Sequence, residues 1–258
     1  MKTDLNAIYV IVMRELKKFL RERSRLVSSI ARPLIWLFLV GAGMSRLVSP
    51  RAGMPYTQFI FPGILGMTIL FSSIFSSISI IWDKEFGFLK EILVAPVRRS
   101  SIVIGKALSG TVVSTIQAAI VLMVFPVIGV KLSVLQVLLT IIISLLVAFC
   151  ISCFGIVIAT FYESYESFSV IMNFIIMPMF FLSGAMYPVK LLPAALRVAS
   201  KLNPLTYGVD ALKNTVFTSP LKSGPMGPDF SFGADLAVII LSSALFVVLA
   251  SGFFERKQ

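Results

Sequence analysis

The chain has 258 residues, 57% of them hydrophobic and 14% charged, with a net charge of +11 and no histidine. Soluble domains are about 45–50% apolar; here the excess falls in runs near 20 residues long, which makes the chain an all-α, polytopic membrane protein and excludes both a soluble domain and the period-2 pattern of a β-barrel. The cations sit beside the apolar runs and no basic–aromatic module occurs, so they mark cytoplasmic retention and contact with membrane lipid, with no nucleic acid as partner.

Residues 4–25 form an amphipathic helix. Leu5, Ile8, Tyr9, Val12, Leu16, Phe19 and Leu20 share one face, and Arg14, Lys17, Lys18 and Arg21 the other. Such a helix is expected to lie at the membrane interface, the alternative being a solvated helix packed on a partner. The first apolar run begins near residue 27, after this charged segment, so no cleavable signal peptide is expected. Six spans follow, at about 27–48, 59–81, 102–130, 132–161, 168–187 and 236–254. The third is long enough to tilt or bend near Pro126. With the N-terminus inside, the inner segments hold 15 Lys and Arg and the outer ones eight, which predicts cytoplasmic N- and C-termini.

Between the second and third spans, residues 83–95 plot as a surface helix. Phe86, Phe88, Leu89, Ile92 and Leu93 lie on one face; Asp83, Lys84, Lys90 and Glu91 lie on the other, with Glu85 at the border. Pro96 stops it. Its apolar face fits lipid or a groove on a partner. Residues 188–217 are helical, amphipathic and broken at Pro193 and Pro204. They are too interrupted for a span, and an outer re-entrant or interfacial hairpin suits them.

Within the spans, Ser72/Ser76 and Ser73/Ser77 repeat at i, i+4 beside Phe71 and Phe75, and Asn173 precedes Met177 in the fifth span. Two readings stand for these residues: close helix packing, or the lining of a translocation path. Cys150 and Cys153 sit mid-span without other metal ligands, and read as small packing residues rather than a redox or metal pair. No metal site is expected. The stretch "IGKALSG" around Lys106 lacks a glycine at position 100 and has Ala107 where a phosphate loop needs a hydroxyl. With no histidine and no nucleophile–base pair, the chain is expected to be no enzyme.

The stretch "EFGFLKEILVAPV" resembles the segment after the second span of type-2 ABC transporter permeases, the group that includes daunorubicin-resistance and nodulation-factor exporters. Glu85, Gly87, Leu89, Lys90, Ile92 or Leu93, Pro96 and Val97 carry the match. The later "NPLTYGVDALK" resembles a second element of that family at Asn203, Pro204, Leu205, Tyr207, Asp210, Leu212 and Lys213. The resemblance covers nearly the whole chain as a single permease domain, 1–258. It implies a homodimer in the plasma membrane, with a separate ATPase subunit that binds ATP and Mg while this chain binds no cofactor. Residues 83–95 become the coupling helix, joined by residues 4–25 and by the turn holding Glu163 and Glu166. Phe71, Phe75, Ser76, Asn173 and Met177 become candidates for the path, and Asn203, Pro204, Tyr207 and Asp210 for the outer gate. The cargo it implies is a drug, lipid or other amphiphile, or alternatively a polysaccharide or glycolipid. A passive channel or secondary transporter fits less well, because no charged residue lies near the middle of a span.

Overall fold

The computed structural model describes residues 2–52, 55–87, 97–217, 222, 224 and 226–256. Helices α1 (Lys2–Arg21), α2 (Arg23–Ala52), α3 (Tyr56–Glu85), α4 (Arg99–Leu122), α5 (Val134–Ala159), α6 (Tyr165–Leu182), α7 (Ala194–Leu202), α8 (Pro204–Val216) and α9 (Phe232–Arg256) make up the fold, with a 3-10 turn at Val189–Leu191 and no strand among the described residues. Six of them, α2 to α6 and α9, are long and apolar enough to cross a membrane.

Helix α3 is the axis of the bundle and packs against α2, α4, α5, α6 and α8. In its apolar stretch 78% of residues are buried, against 17% for α2 and for α9, so these last two line the outside of the bundle. Small residues let α3, α4 and α5 approach closely. Gly110 faces Ser152 and Ser76, and Gly155 faces Ser77. Ser73 Oγ lies 3.0 Å from Ser114 Oγ and 3.3 Å from the Ala148 carbonyl oxygen. Cys150 and Cys153 are free and buried in this same core.

The helix ends follow local chemistry. A capping box joins Ser133 and Gln136 at the start of α5, and Ser164 accepts the Ser167 amide at the start of α6. Helix α4 takes its cap from a distant residue: Asp4 of α1 accepts from the Arg98 amide and from Ser101 Oγ, each at 3.2 Å. That amide hydrogen bond holds the Asp4 carboxyl below its ordinary range.

Three expectations change. The third span ends at Leu122 rather than 130. Pro126 removes an amide and its ring blocks a continuing helix, so 123–129 form successive turns closed by Gly129 at φ +75°. Gln58 Nε2 donates to the Ile128 and Gly129 carbonyls and ties these turns to the start of α3. Asp83, Lys84 and Glu85 belong to the last turn of α3, not to a separate helix. Phe86 and Gly87 end that turn, with Gly87 at φ +78°. Phe88, Leu89, Lys90, Glu91 and Pro96 lie outside the described residues. Finally, the apolar residues of α1 split between two directions. Phe19 is buried and Ile11 packs on Gly105 of α4, whereas Leu5, Tyr9 and Leu20 are exposed.

Candidate functional site

At one end of the bundle five helices converge. Lys106, near the start of α4 and only 3% exposed, donates to Asp83 Oδ2 at 2.6 Å, Glu15 Oε1 at 2.8 Å and Ser79 Oγ at 3.0 Å. Arg14 reaches Asp83 from the surface at 3.1 Å. Burial pushes the Glu15 carboxyl up, but Lys106 and Arg14 outweigh that and hold it net below its ordinary range. Lys18 of α1 sits 4.3 Å over the Trp82 ring, and Tyr165, at the start of α6, packs 6.4 Å from the same ring. Lys84 donates to the Ala159 and Thr160 carbonyls at 3.4 and 3.2 Å, so its cation meets the negative end of α5. Glu163 and Glu166, in the turn that follows α5 and at the start of α6, are exposed. The ends of α1, α3 and α5 and the starts of α4 and α6 are thus one cross-linked patch, from which Glu85, Phe86 and Gly87 project into solvent.

A cavity of about 200 Å³ opens between α2, α3 and α4. Its floor is Met67, Thr68 and Gln117, all buried; its mouth is Ser28 and Arg32, both exposed. Phe71 and Phe75 form an aromatic wall with ring centroids 6.3 Å apart, and the Arg32 guanidinium lies 5.5 Å from the Phe71 ring. Phe71 stands midway along α3, about 22 Å from either end at 1.5 Å per residue. A cleft of about 20 Å³ shares Phe75 and runs towards the patch past Ser76, Ser79 and Trp82. It admits about one water and nothing larger.

The opposite end is held by the second motif. Asn203 Oδ1 caps α8 through the Leu205 amide, and its Nδ2 donates to the Met179 carbonyl of α6. Pro204 begins α8, where its missing amide costs nothing. The Tyr207 ring packs against that of Phe230, with centroids 5.0 Å apart and planes tilted by 33°. Asp210, buried in α8, accepts the Asp229 and Phe230 amides at 2.8 Å each, while Asp229 accepts the Val189 and Lys190 amides. Burial pushes the Asp210 carboxyl up in spite of those amides and Lys213. Lys213 is fully buried and donates to the Gly184 carbonyl at 2.7 Å.

Of the residues expected to line a path, Phe71 and Phe75 share the cavity and Ser76 the adjoining cleft. Asn173 and Met177 lie instead on the exposed face of α6, in line with Val170, Phe174 and Phe181. Ser72 lines the cavity; Ser76 lines the cleft and also faces Gly110 of α4; Ser73 and Ser77 pack against neighbouring helices. Arg32 and Gln117 were not among the expected path residues. A lone amide in the apolar run "TIQAAIVL" was the available signal for Gln117.

The family model described as ABC-2 type transporter matches residues 6–217. A protein named transport permease ycf38 from Cyanophora paradoxa is 32% identical over 216 residues, covering 81% of this chain and 73% of that one. Nodulation protein J from Rhizobium leguminosarum bv. trifolii is 26% identical over 213 residues, 76% of this chain and 75% of its own. The protein named transport permease ycf38 from Porphyra purpurea is 26% identical over 263 residues, 98% of this chain and 90% of its own.

Proposed function

The chain belongs to the ABC-2 type transporter family, and from that premise we propose that it is the membrane permease of an ATP-driven exporter, paired with a second copy of itself and with a separate ATPase subunit. It sits in the plasma membrane with both termini in the cytoplasm. The partner holds ATP and Mg, and this chain supplies the path for a drug, lipid or other amphiphile.

The observation that carries this reading is the patch at the end of α3. A force applied to Glu85–Gly87, or to the residues that follow, acts on a helix whose last turn is tied by ion pairs to α1 and α4 and by Lys84 to α5. That helix is the bundle's axis and also carries Phe71 and Phe75. Closure of an ATPase dimer against this patch therefore moves the cavity wall. The ATPase must bind the two states of the permease with different affinity for this to work.

The test uses the permease co-expressed with its ATPase. Gly87→Pro removes the φ +78° that ends α3, and Glu85→Ala removes an exposed carboxylate beside it. Transport in both variants is expected to fall about tenfold or more while the ATPase still co-purifies, in the usual range of coupling energies. Unchanged transport rates with the ATPase bound would refute the assignment of this patch.

A further inference from the structure

The cavity between α2, α3 and α4 has two polar groups without protein partners. Arg32 lies inside an apolar span, and among the described residues it makes no hydrogen bond or ion pair; its neighbour is the Phe71 ring. Gln117 is 3% exposed, borders the cavity, and likewise has no hydrogen-bond partner among the described residues. A guanidinium at the mouth of the cavity whose neighbour is an aromatic ring, and a buried amide without a partner, both leave donors unused. Each is satisfied by an anion in the cavity that carries further oxygen acceptors: the guanidinium as a two-pronged donor, the amide as a third.

The surroundings specify the rest of the ligand. At about 200 Å³ the cavity is smaller than the 300–1,000 Å³ that encloses a whole drug-sized molecule, so it seats a headgroup only. Its wall is apolar, with Met67, Phe71 and Phe75. Ile35 and Leu39 lie three and seven residues beyond Arg32, on the same face of α2, and both are exposed. This face is polar at Ser28 and Arg32 and apolar beyond, as an amphiphile is.

We propose that this cavity is the headgroup site for an anionic amphiphile, with phosphate or a similar oxyanion held between Arg32 and Gln117 and the hydrocarbon tail lying along the Ile35–Leu39 face of α2. The assignment rests on the permease reading and names the class of its cargo.

The test is lipid binding by the full chain, purified in detergent with its ATPase and followed by native mass spectrometry. Phosphatidylglycerol and phosphatidylcholine with identical acyl chains are the probes, and inorganic phosphate is the competitor. The wild type is expected to prefer phosphatidylglycerol by about tenfold, the worth of one charge-assisted contact. Arg32→Gln should abolish that preference, Gln117→Leu should weaken the binding of both lipids because both carry the phosphate it contacts, and Lys17→Gln, an exposed cation on α1, should change neither. Gln117→Leu retains the charge, so it decides the matter if Arg32→Gln fails to fold. Equal binding of the two lipids by the wild type overturns the proposal, as does survival of the preference in Arg32→Gln or of wild-type affinity for both lipids in Gln117→Leu. Competition by inorganic phosphate as strong as that by the lipid also overturns it, since a free anion would then be the ligand. Loss of the lipid preference with the ATPase still bound removes the cargo class alone. Absence of ATPase from every preparation removes the permease reading and the cavity assignment with it.

Discussion

Replacing Lys106 by Met tests the patch at the end of α3 most severely. Lys106 lies 2.6 Å from Asp83 and 2.8 Å from Glu15, and the two carboxylates are each 10% exposed. At an effective dielectric near 20, each contact is worth about 6 kcal/mol of gross attraction, most of which offsets the desolvation of the ions. Removing the cation leaves the carboxylates buried with Arg14, itself 48% exposed, as their remaining counter-ion. Breaking a buried pair costs about 3–5 kcal/mol, and the surviving Arg14 contacts place this case near the lower end, at about 3 kcal/mol. For a chain of this size, that lowers Tm by about 6–12 °C. The assay is thermal unfolding in detergent between pH 5 and pH 8. In the wild type the folded pKa of Glu15 is depressed, so its contribution is fully present above the ordinary value of 4.5 and is lost only as pH falls below it; Tm should show no Glu15-dependent change across the range. Without Lys106 the burial effect dominates and the folded pKa rises above the unfolded one. The variant should then regain stability as the pH is lowered towards 5. Lys106→Met/Asp83→Asn should lose less than Lys106→Met alone. A Tm for Lys106→Met within about 1 °C of the wild type, with no recovery on acidification, would mean that the Lys106 ion pairs do not hold this end of the bundle together.

Gly63→Ala should lower stability by about 1–3 kcal/mol. Its new Cβ would lie 2.5 Å from the Ala185 carbonyl oxygen and 2.7 Å from Ala185 Cα, a backbone that cannot step aside cheaply. Gly43→Ala, with nothing within 4 Å, should be neutral or stabilising in the same thermal assay. Asp210→Ala strands the Asp229 and Phe230 amides and should cost about 1–3 kcal/mol. Hydrogen exchange at those two amides should speed up markedly, and less so in Asp210→Asn, which keeps one acceptor oxygen.

The helices that cross the membrane were legible because apolar length and charge are properties of single segments. Pro193 and Pro204 announced the breaks before α7 and α8 for the same local reason. What escaped was pairing. Asp83 and Lys106 are 23 residues apart, and no periodicity links them; plotted as one helix with 90 and 91, Asp83 looked like a solvated charge rather than a buried partner. Arg14 reads equally well as a surface cation, and only the docking of α1 on α4 brings it to Asp83. The aromatic half of the cavity, Phe71 and Phe75, was visible as a stripe on one span. Its polar half comes from α2 and α4, so Arg32 and Gln117 belong to the site only once three helices are packed. Asn173 stood out in the sequence as an amide in an apolar span, and its candidacy for a path came from the family resemblance of the fifth span; the burial of its neighbours, which decides the face it presents, depends on how α6 packs and puts it on an exposed face.

The central claim is that this chain forms a path whose use requires a separate ATPase. It is tested most directly in sealed proteoliposomes containing the permease with and without its ATPase, by following the transbilayer movement of a fluorescent phosphatidylglycerol. Movement is expected only when both subunits and hydrolysable ATP are present, with loss of that movement in Gly87→Pro although the complex stays assembled. Equal movement in vesicles containing the permease alone, or in the full complex without ATP, would contradict it.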